Sequence, residues 1–566
     1  MFRVLTGAAP WVVIGILVVP VLAGLIGTIA PALGYLPAAG LTTLSLTPMA
    51  DLAATPGVWR AALVSLTTGL VSTALALLIA FLTVALFLDR PTFRVMRRLL
   101  SPLLAVPHAA AAFGLAALVA PSGWLVRLFS PWATGWDTPP DLLIVNDRAG
   151  IALTLGLAAK ETPFLVLMLI AALPQAEASR RMLAAATLGY GRLKAFAVSA
   201  WPSLYAQIRL PVLAVIVYGT ANLDMAMILG PTTPPTLSVM ALREAADPDL
   251  ARRSVAAAAA ILQIGVCLLA ALFWFAGERL AARLIGAAAA SGRRARSDRF
   301  WRIAGALLTL FPPIAIIAGL ATLALWSIAL RWPFPQAFPS GVTLDGWGRT
   351  MMALAEPLGW TLALGAASSA IALGLVLLAL DQEDAAGKRP GVAALVILYA
   401  PLLVPQIAFL LGLSSLAVAL RVDGHFAAVL LAHLVFVLPY VYLSLAGPWR
   451  AFDGRYLLVA RGLGAGRGRT FLAVRLPMLM RPIATAFALG FAVSVAQYLP
   501  TVLVGAGRIT TVTSEAIALS AGQDRRVIGV VALIQALLPA LAFALALALP
   551  AIAARRRAGL SAGEGA

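Results

Sequence analysis

The chain has 566 residues, of which 61% are hydrophobic and only 11% charged, with a mean hydropathy of +0.95. Soluble chains carry roughly 25% charged residues, so this surface is one that lipid solvates and water does not. A single cysteine (Cys267) and three histidines (His108, His425, His433), no two at a metal-ligand spacing, exclude a disulfide framework and leave a metal enzyme without ligands. The net charge of +19 would point to nucleic acid in a soluble protein; here topology has to be tested first.

Lipid-facing backbone must close its own hydrogen bonds, so apolar runs of about 20 residues read as helices. In chain order they fall at about 11–34, 59–88, 99–120, 149–174, 209–230, 254–277, 303–328, 357–380, 392–420, 426–447, 483–505 and 526–550. This predicts an all-α integral membrane protein with about 12 transmembrane helices. The first run resembles a signal peptide, but it is too long and has no convincing cleavage site, so it is read as an uncleaved span. With both termini placed in the cytoplasm, 29 of the 42 Lys+Arg fall on the cytoplasmic side and 12 on the other, with Lys160 inside a span. The positive charge is thus an orientation signal. Membrane lipid is the expected surroundings, and no nucleic-acid partner is expected.

The two halves repeat one another. Pro102, Pro107, His108, Gly114 and Leu115 match Pro401, Pro405, Gln406, Gly412 and Leu413, with a constant offset of 298 from Val106/Val404 onward. Leu188-Gly189, Pro202, Ile208 and Leu229-Gly230 match Leu463-Gly464, Pro477, Ile483 and Val504-Gly505 at an offset of 275, which places an insertion of 23 residues after Ala120. Several matches at one offset mark a repeat. With six helices in each copy, the second keeps the orientation of the first, giving parallel repeats. The expected units are 1–290 and 291–566, joined by an Arg-rich cytoplasmic linker at 278–302.

Two long basic loops are the most informative segments, at about 175–208 and 448–482. Each reads as a short helix of small residues, a glycine break and a second amphipathic helix closed by proline. They resemble the EAA loop of binding-protein-dependent ABC importer permeases, whose pattern is E-A-A, three residues, G, nine residues, I-x-L-P. The first loop keeps Ala184, Ala185, Gly189 and Pro202; the second keeps Gly464, Val474 in the isoleucine position, Leu476 and Pro477. Leu183 and Leu458 stand where the glutamate would be. The alternative for these segments is a pair of basic interfacial helices on the membrane.

The resemblance implies coupling loops for two copies of a cytoplasmic ABC ATPase, an extracytoplasmic solute-binding protein, and a bacterial inner-membrane location. ATP and Mg would sit on the ATPase, so no cofactor, metal or catalytic residue is expected in this chain. The P-loop-like stretch Leu463–Thr470 lacks the first glycine and the lysine of a phosphate cradle. Fusion of both permease copies in one chain resembles the ferric-iron and thiamine importer branch, which implies a thiamine-like or ferric-iron cargo. The runner-up is a twelve-helix secondary transporter of the major facilitator type. It is supported by the Asp89–Arg98 segment and weakened by the matching loop 381–391, which is acidic and then basic.

Polar residues inside spans mark candidate pathway positions. They are His108, Lys160, Glu161, Asn222, Asp224, Gln406, Gln497 and Tyr498. Lys160 and Glu161 point about 100° apart on a helix, so each is expected to find a partner on another helix. The two carboxylates suit a cationic cargo, and Lys160 counts against it. For His108 and Gln406, each of which follows a proline, structural hydrogen bonding is the leading reading. In the inserted segment 121–148, Trp124, Trp132 and Trp136 read as an interfacial aromatic belt or as a docking surface for the binding protein.

Overall fold

Twelve helices account for the apolar runs: α1 (Phe2–Ala32), α2 (Val58–Phe87), α3 (His108–Val119), α4 (Ile151–Ala172), α5 (Trp201–Ala221), α6 (Arg252–Ala290), α7 (Arg299–Ile328), α8 (Ala355–Ala386), α9 (Gln406–Ala419), α10 (Phe426–Arg450), α11 (Met480–Val495) and α12 (Arg525–Arg555). The computed structural model describes residues 2–294, 298–387, 391–520, 522 and 524–555. Among these, ten helices are long and apolar enough to cross a membrane, or up to twelve if each of two bent pairs is one span. The chain is an all-α integral membrane protein, with one two-stranded hairpin, Ala329–Arg331 with Gly341–Val342, among the described residues.

Four of the predicted runs are not single rods. The run at 99–120 divides into a helix Pro91–Leu100, a 3-10 turn Ser101–Ala105 and α3. Its counterpart at 392–420 bends by 83° between Ala393–Leu403 and α9. Pro107 and Pro405 cap α3 and α9; a proline has no N–H to extend a preceding ladder, and it forces the residue before it out of helical geometry. The runs at 209–230 and 483–505 also break, after Ala221 and after Val495, and resume as Asp224–Leu229 and Leu499–Gly505. In the Arg-rich stretch 278–302, alanines and leucines carry α6 on to Ala290, and α7 starts at Arg299.

The first helix of each half packs on the third helix of the other. α1 crosses α9 so closely that a Cβ on Gly412 would overlap the Gly24 carbonyl oxygen and lie 2.5 Å from the Thr28 nitrogen. The Gly412 N–H donates to Thr28 Oγ1 at 2.9 Å. α7 crosses α3 in the same way, and a Cβ on Gly114 would stand 2.8 Å from the Gly319 carbonyl carbon. In lipid there is no hydrophobic drive between helices, so close backbone approach at small residues supplies the contact. Residues 1–290 and 291–566 are therefore packed into one another. One apolar core cluster takes in both, with Val21 and Ala112 from the first and Phe409 and Val531 from the second.

The inserted segment forms a second tie between the halves. Trp124 Nε1 donates to the Ala337 carbonyl at 3.0 Å. Arg127 donates to the Pro333 carbonyl at 2.8 Å, and its guanidinium lies 5.1–5.6 Å from the ring centroids of Trp326, Trp332 and Phe334. Arg525 donates to Ser122 Oγ at 2.7 Å. Trp124 is thus a packing residue, while Trp132 is 75% exposed and Trp136 36%. Arg127→Ala removes the charged hydrogen bonds and the cation–π contacts together. It is expected to lower stability by about 2–3 kcal/mol, read as an earlier thermal unfolding midpoint in detergent.

Candidate coupling loops and translocation pathway

The first loop begins with a helix, Ala178–Thr187, whose Ala178, Met182 and Ala185 are buried while Leu183 and Ala184 face outward. Gly189 follows with φ +82, a left-handed conformation that glycine adopts without strain. The chain then forms Arg192–Ala195, a π-helical turn Phe196–Ala200, and α5. The second loop repeats this order with Arg455–Gly462, Gly464 at φ +82, Arg467–Thr470, a π-helical turn Phe471–Arg475, and Leu476–Met478 leading into α11. The prolines do not close these loops as the sequence reading expected. Pro202 and Pro477 occupy the first turn of the helix that follows, where a missing N–H costs nothing.

Each loop is latched to a membrane helix by an arginine just after the glycine turn. Arg192 donates to the carbonyls of Ala85, at 3.0 Å, and Leu88, at the end of α2. Arg467, at the same offset of 275, donates to the Asp381 carboxylate at 2.6 and 2.9 Å and to its carbonyl at 3.0 Å. The second loop has further ties. Arg475 pairs with Asp384 at 2.5 Å and lies 3.7 Å over the Trp449 ring, and Arg450 pairs with Glu383 at 3.0 Å. The acidic run 381–384 is therefore the anchor of the loop; Lys388 and Arg389, the basic part of 381–391, lie outside the described residues.

The first loop is held by aromatic packing instead, with Phe81 against Phe196 and Trp201 at centroid distances of 5.3 and 4.9 Å. It also carries part of the connection between halves. Gly191 N–H donates to the Arg294 carbonyl at 3.0 Å, and Lys194 reaches the Arg293 carbonyl. Gly464 has open space around it. The two loops thus share one backbone path and differ in their surroundings.

The intramembrane polar residues gather at the helix breaks. His108, first residue of α3, bonds through Nε2 to Glu161 Oε1 at 3.0 Å, and its ring lies 4.8 Å from that of Tyr218 on α5. Lys160 turns the other way and donates to the Leu103 carbonyl at 3.0 Å, in the turn before Pro107. So Lys160 and Glu161 do find separate hydrogen-bond partners, while the ammonium stays within electrostatic range of Glu161 and His108. Asn222 Oδ1 accepts from the N–H groups of Met225 and Ala226 at 3.0 and 3.3 Å, capping the short helix that Asp224 opens. Asp224 lies within electrostatic range of Tyr218 and Tyr498, and Glu161 within that of Tyr218 and Tyr440.

Gln497 is buried at the matching break after α11, and Gln406 is half-buried at the start of α9. Tyr218 and Tyr440 were not legible as site residues, because a tyrosine in an apolar run carries no periodicity of its own. His433, by contrast, is a packing residue: buried, it bonds Ser494 at 2.8 Å and Thr501 at 3.0 Å.

No family model matches the chain. It is 31% identical over 539 residues to the inner membrane ABC transporter permease protein YnjC of Escherichia coli K12, covering 94% of each. The chain belongs to the inner-membrane ABC transporter permeases. This permease is also 26% identical to the thiamine transport system permease protein ThiP of E. coli K12, over 75% of this chain and 77% of that protein. The spermidine/putrescine transport system permease protein PotC of Haemophilus influenzae is 30% identical over 135 residues, 24% of this chain and 51% of that protein. As a permease, the chain is a multi-pass inner-membrane transport subunit and not an enzyme, and it works with an ATPase and a binding protein. The secondary-transporter alternative is set aside by this membership.

Proposed function

We propose that the chain is a fusion of two parallel six-helix permease repeats, 1–290 and 291–566, with both termini and both latched loops in the cytoplasm. Two copies of one ATPase subunit dock on the loops around Gly189 and Gly464, and a solute-binding protein delivers cargo on the opposite face. The observation that carries this reading is the pair of loops. Each has the same helix, left-handed glycine, latch arginine and π-helical turn at the offset of 275. A rigid push on either loop reaches the spans through Arg192 to α2 and through Arg467 and Arg475 to α8 and α10.

Cargo crosses between the halves, past His108, Glu161, Asn222, Asp224 and Tyr498. With two carboxylates, Glu161 and Asp224, against the one ammonium of Lys160, and with Tyr218, Tyr440 and Tyr498 within electrostatic range of them, the site favours a cation. Tyrosine faces add to this most for an organic cation, so of the thiamine-like and ferric-iron readings the thiamine-like one is preferred; ThiP is named as a thiamine permease. The test is uptake of labelled thiamine into proteoliposomes carrying the permease, its ATPase and its binding protein. Glu161→Gln and Asp224→Asn are each expected to cut uptake at least about tenfold, the effect of one lost charged contact, and to leave basal ATP hydrolysis in place. Undiminished uptake in both variants would remove these carboxylates from the pathway. Gly464→Trp, forced into a left-handed backbone, is expected to uncouple hydrolysis from uptake, and normal uptake would overturn the docking assignment.

A further inference from the structure

The glutamate of the EAA pattern is missing twice, and the structure gives its replacement a consistent geometry. Leu183 is 68% exposed and Leu458 65%, at the same offset of 275 and on the outward face of the same short helix. The residue before each left-handed glycine is also an exposed leucine, Leu188 at 62% and Leu463 at 84%. One turn before Leu183 and Leu458 stand Arg180 and Arg455, again at offset 275; their side chains are 85% and 87% exposed, with Arg180 in a surface ion pair to Glu177 at 3.5 Å and Arg455 in one to Asp453 at 2.7 Å. In the first helix the opposite face is buried at Met182 and Ala185; in the second it is only half-buried, at Leu457 and Ala460. An exposed Arg–Leu–Leu set occurs twice in one register, so a random surface leucine does not explain it.

We infer that this permease engages its ATPase through leucine anchors. Leu183 with Leu188, and Leu458 with Leu463, each seat in an apolar pocket of the ATPase whose rim carries carboxylates facing Arg180 and Arg455. This rests on the docking reading above and specifies its chemistry. The partner is a protein with two equivalent sites, because the sets are duplicated and near-identical. Its rim is acidic, because the basic residues flanking the leucines outnumber the acidic ones: Arg180 and Arg181 against Glu177 in one loop, Arg455, Arg461 and Arg469 against Asp453 in the other. Apolar centre and charged rim is the usual anatomy of a specific protein interface. A pocket of this kind rejects the glutamate that the family pattern carries, because a carboxylate would be desolvated there and would meet a rim of like charge. The leucines therefore also set which ATPase this permease accepts.

The probe is the ATPase subunit that co-purifies with tagged wild-type permease, expressed separately and titrated onto the full chain in nanodiscs. Leu183→Glu/Leu458→Glu, which restores the family residue at both positions, is expected to weaken binding at least about tenfold. Leu183→Met/Leu458→Met should bind within about twofold of wild type, since methionine keeps volume and polarity. Arg180→Glu/Arg455→Glu should weaken binding, and raising salt should weaken the wild type. Equal or tighter binding by the glutamate variant overturns the leucine anchors, as does insensitivity to both salt and the arginine exchange. Gly464→Trp separates the two levels. If it impairs binding while the glutamate variant does not, docking at the loops stands and the leucine chemistry falls; if neither impairs binding, the docking reading falls as well. Because the exchanged leucines are exposed, all variants should elute as monodisperse protein.

Discussion

Replacing Gly412 by alanine is expected to lower the unfolding free energy by about 3 kcal/mol, at the top of the usual overpacking range, because backbone blocks the new methyl. In a helix interior, glycine to alanine normally stabilises by about 0.5–1 kcal/mol, so the sign is the diagnostic. The added Cβ would overlap the Gly24 carbonyl and stand against Thr28, and neither can move without shifting α1. Gly114→Ala should behave alike, because the Gly319 backbone faces it. Gly15→Ala is the control, with nothing within 4 Å of its Cβ position. Thermal unfolding of the full chain in detergent reads all three. An unchanged midpoint for Gly412→Ala would mean that α1 and α9 do not cross as described.

The second large effect is expected at the latch of the second loop. Arg475→Ala removes the Asp384 ion pair and the stack on Trp449, and Arg467→Ala removes three bonds to Asp381. Each loss is worth about 1.5–3 kcal/mol for charge-assisted bonds of this kind. The functional consequence exceeds the stability cost, because these contacts join the loop to α8 and α10. Hydrolysis should continue while uptake falls by about tenfold or more. Asp381→Ala combined with Arg467→Ala should cost little more than either alone, the pattern of a direct pair in a double-mutant cycle. Additive losses would place the arginine's role elsewhere. In the first loop, the equivalent Arg192 bonds only backbone carbonyls among its described partners, so no side-chain exchange on α2 should reproduce the Arg467–Asp381 coupling.

These predictions rest on features that differ in how visible they were in the sequence. Gly114 and Gly412 were found as repeat matches, but their reason, a close backbone crossing, involves Gly319 and Gly24 from distant helices. The loop 381–391 read only as acidic and then basic, and the meaning of its acidic part came from Arg467, Arg475 and Arg450 folding onto it. Lys160 and Glu161 are adjacent in the chain, and a pairwise reading would have cancelled their charges. The turn before Pro107 takes the ammonium and His108 takes the carboxylate, and Glu161 stays within electrostatic range of Tyr218 and Tyr440. Pro107 and Pro405 stand at two of the breaks, although 99–120 and 392–420 read as continuous runs. Pro500 lies in the first turn of the helix that resumes after Val495, and after Ala221 the cap is Asn222.

Membrane residence, the all-α class and the two related loops followed from the sequence alone. Each depends on local physics: lipid demands apolar runs that close their own hydrogen bonds, and a repeated offset survives any amount of apolar composition. Family membership was legible for the same reason, through glycines and prolines whose backbone roles fix their spacing. The interlocking of α1 with α9 and α7 with α3, the latch arginines, the separate fates of Lys160 and Glu161, and the outward leucines were decided only by tertiary structure. Those depend on which side chains meet across helices far apart in the chain, and in a membrane bundle such meetings are set by close packing of small residues, which hydropathy does not record.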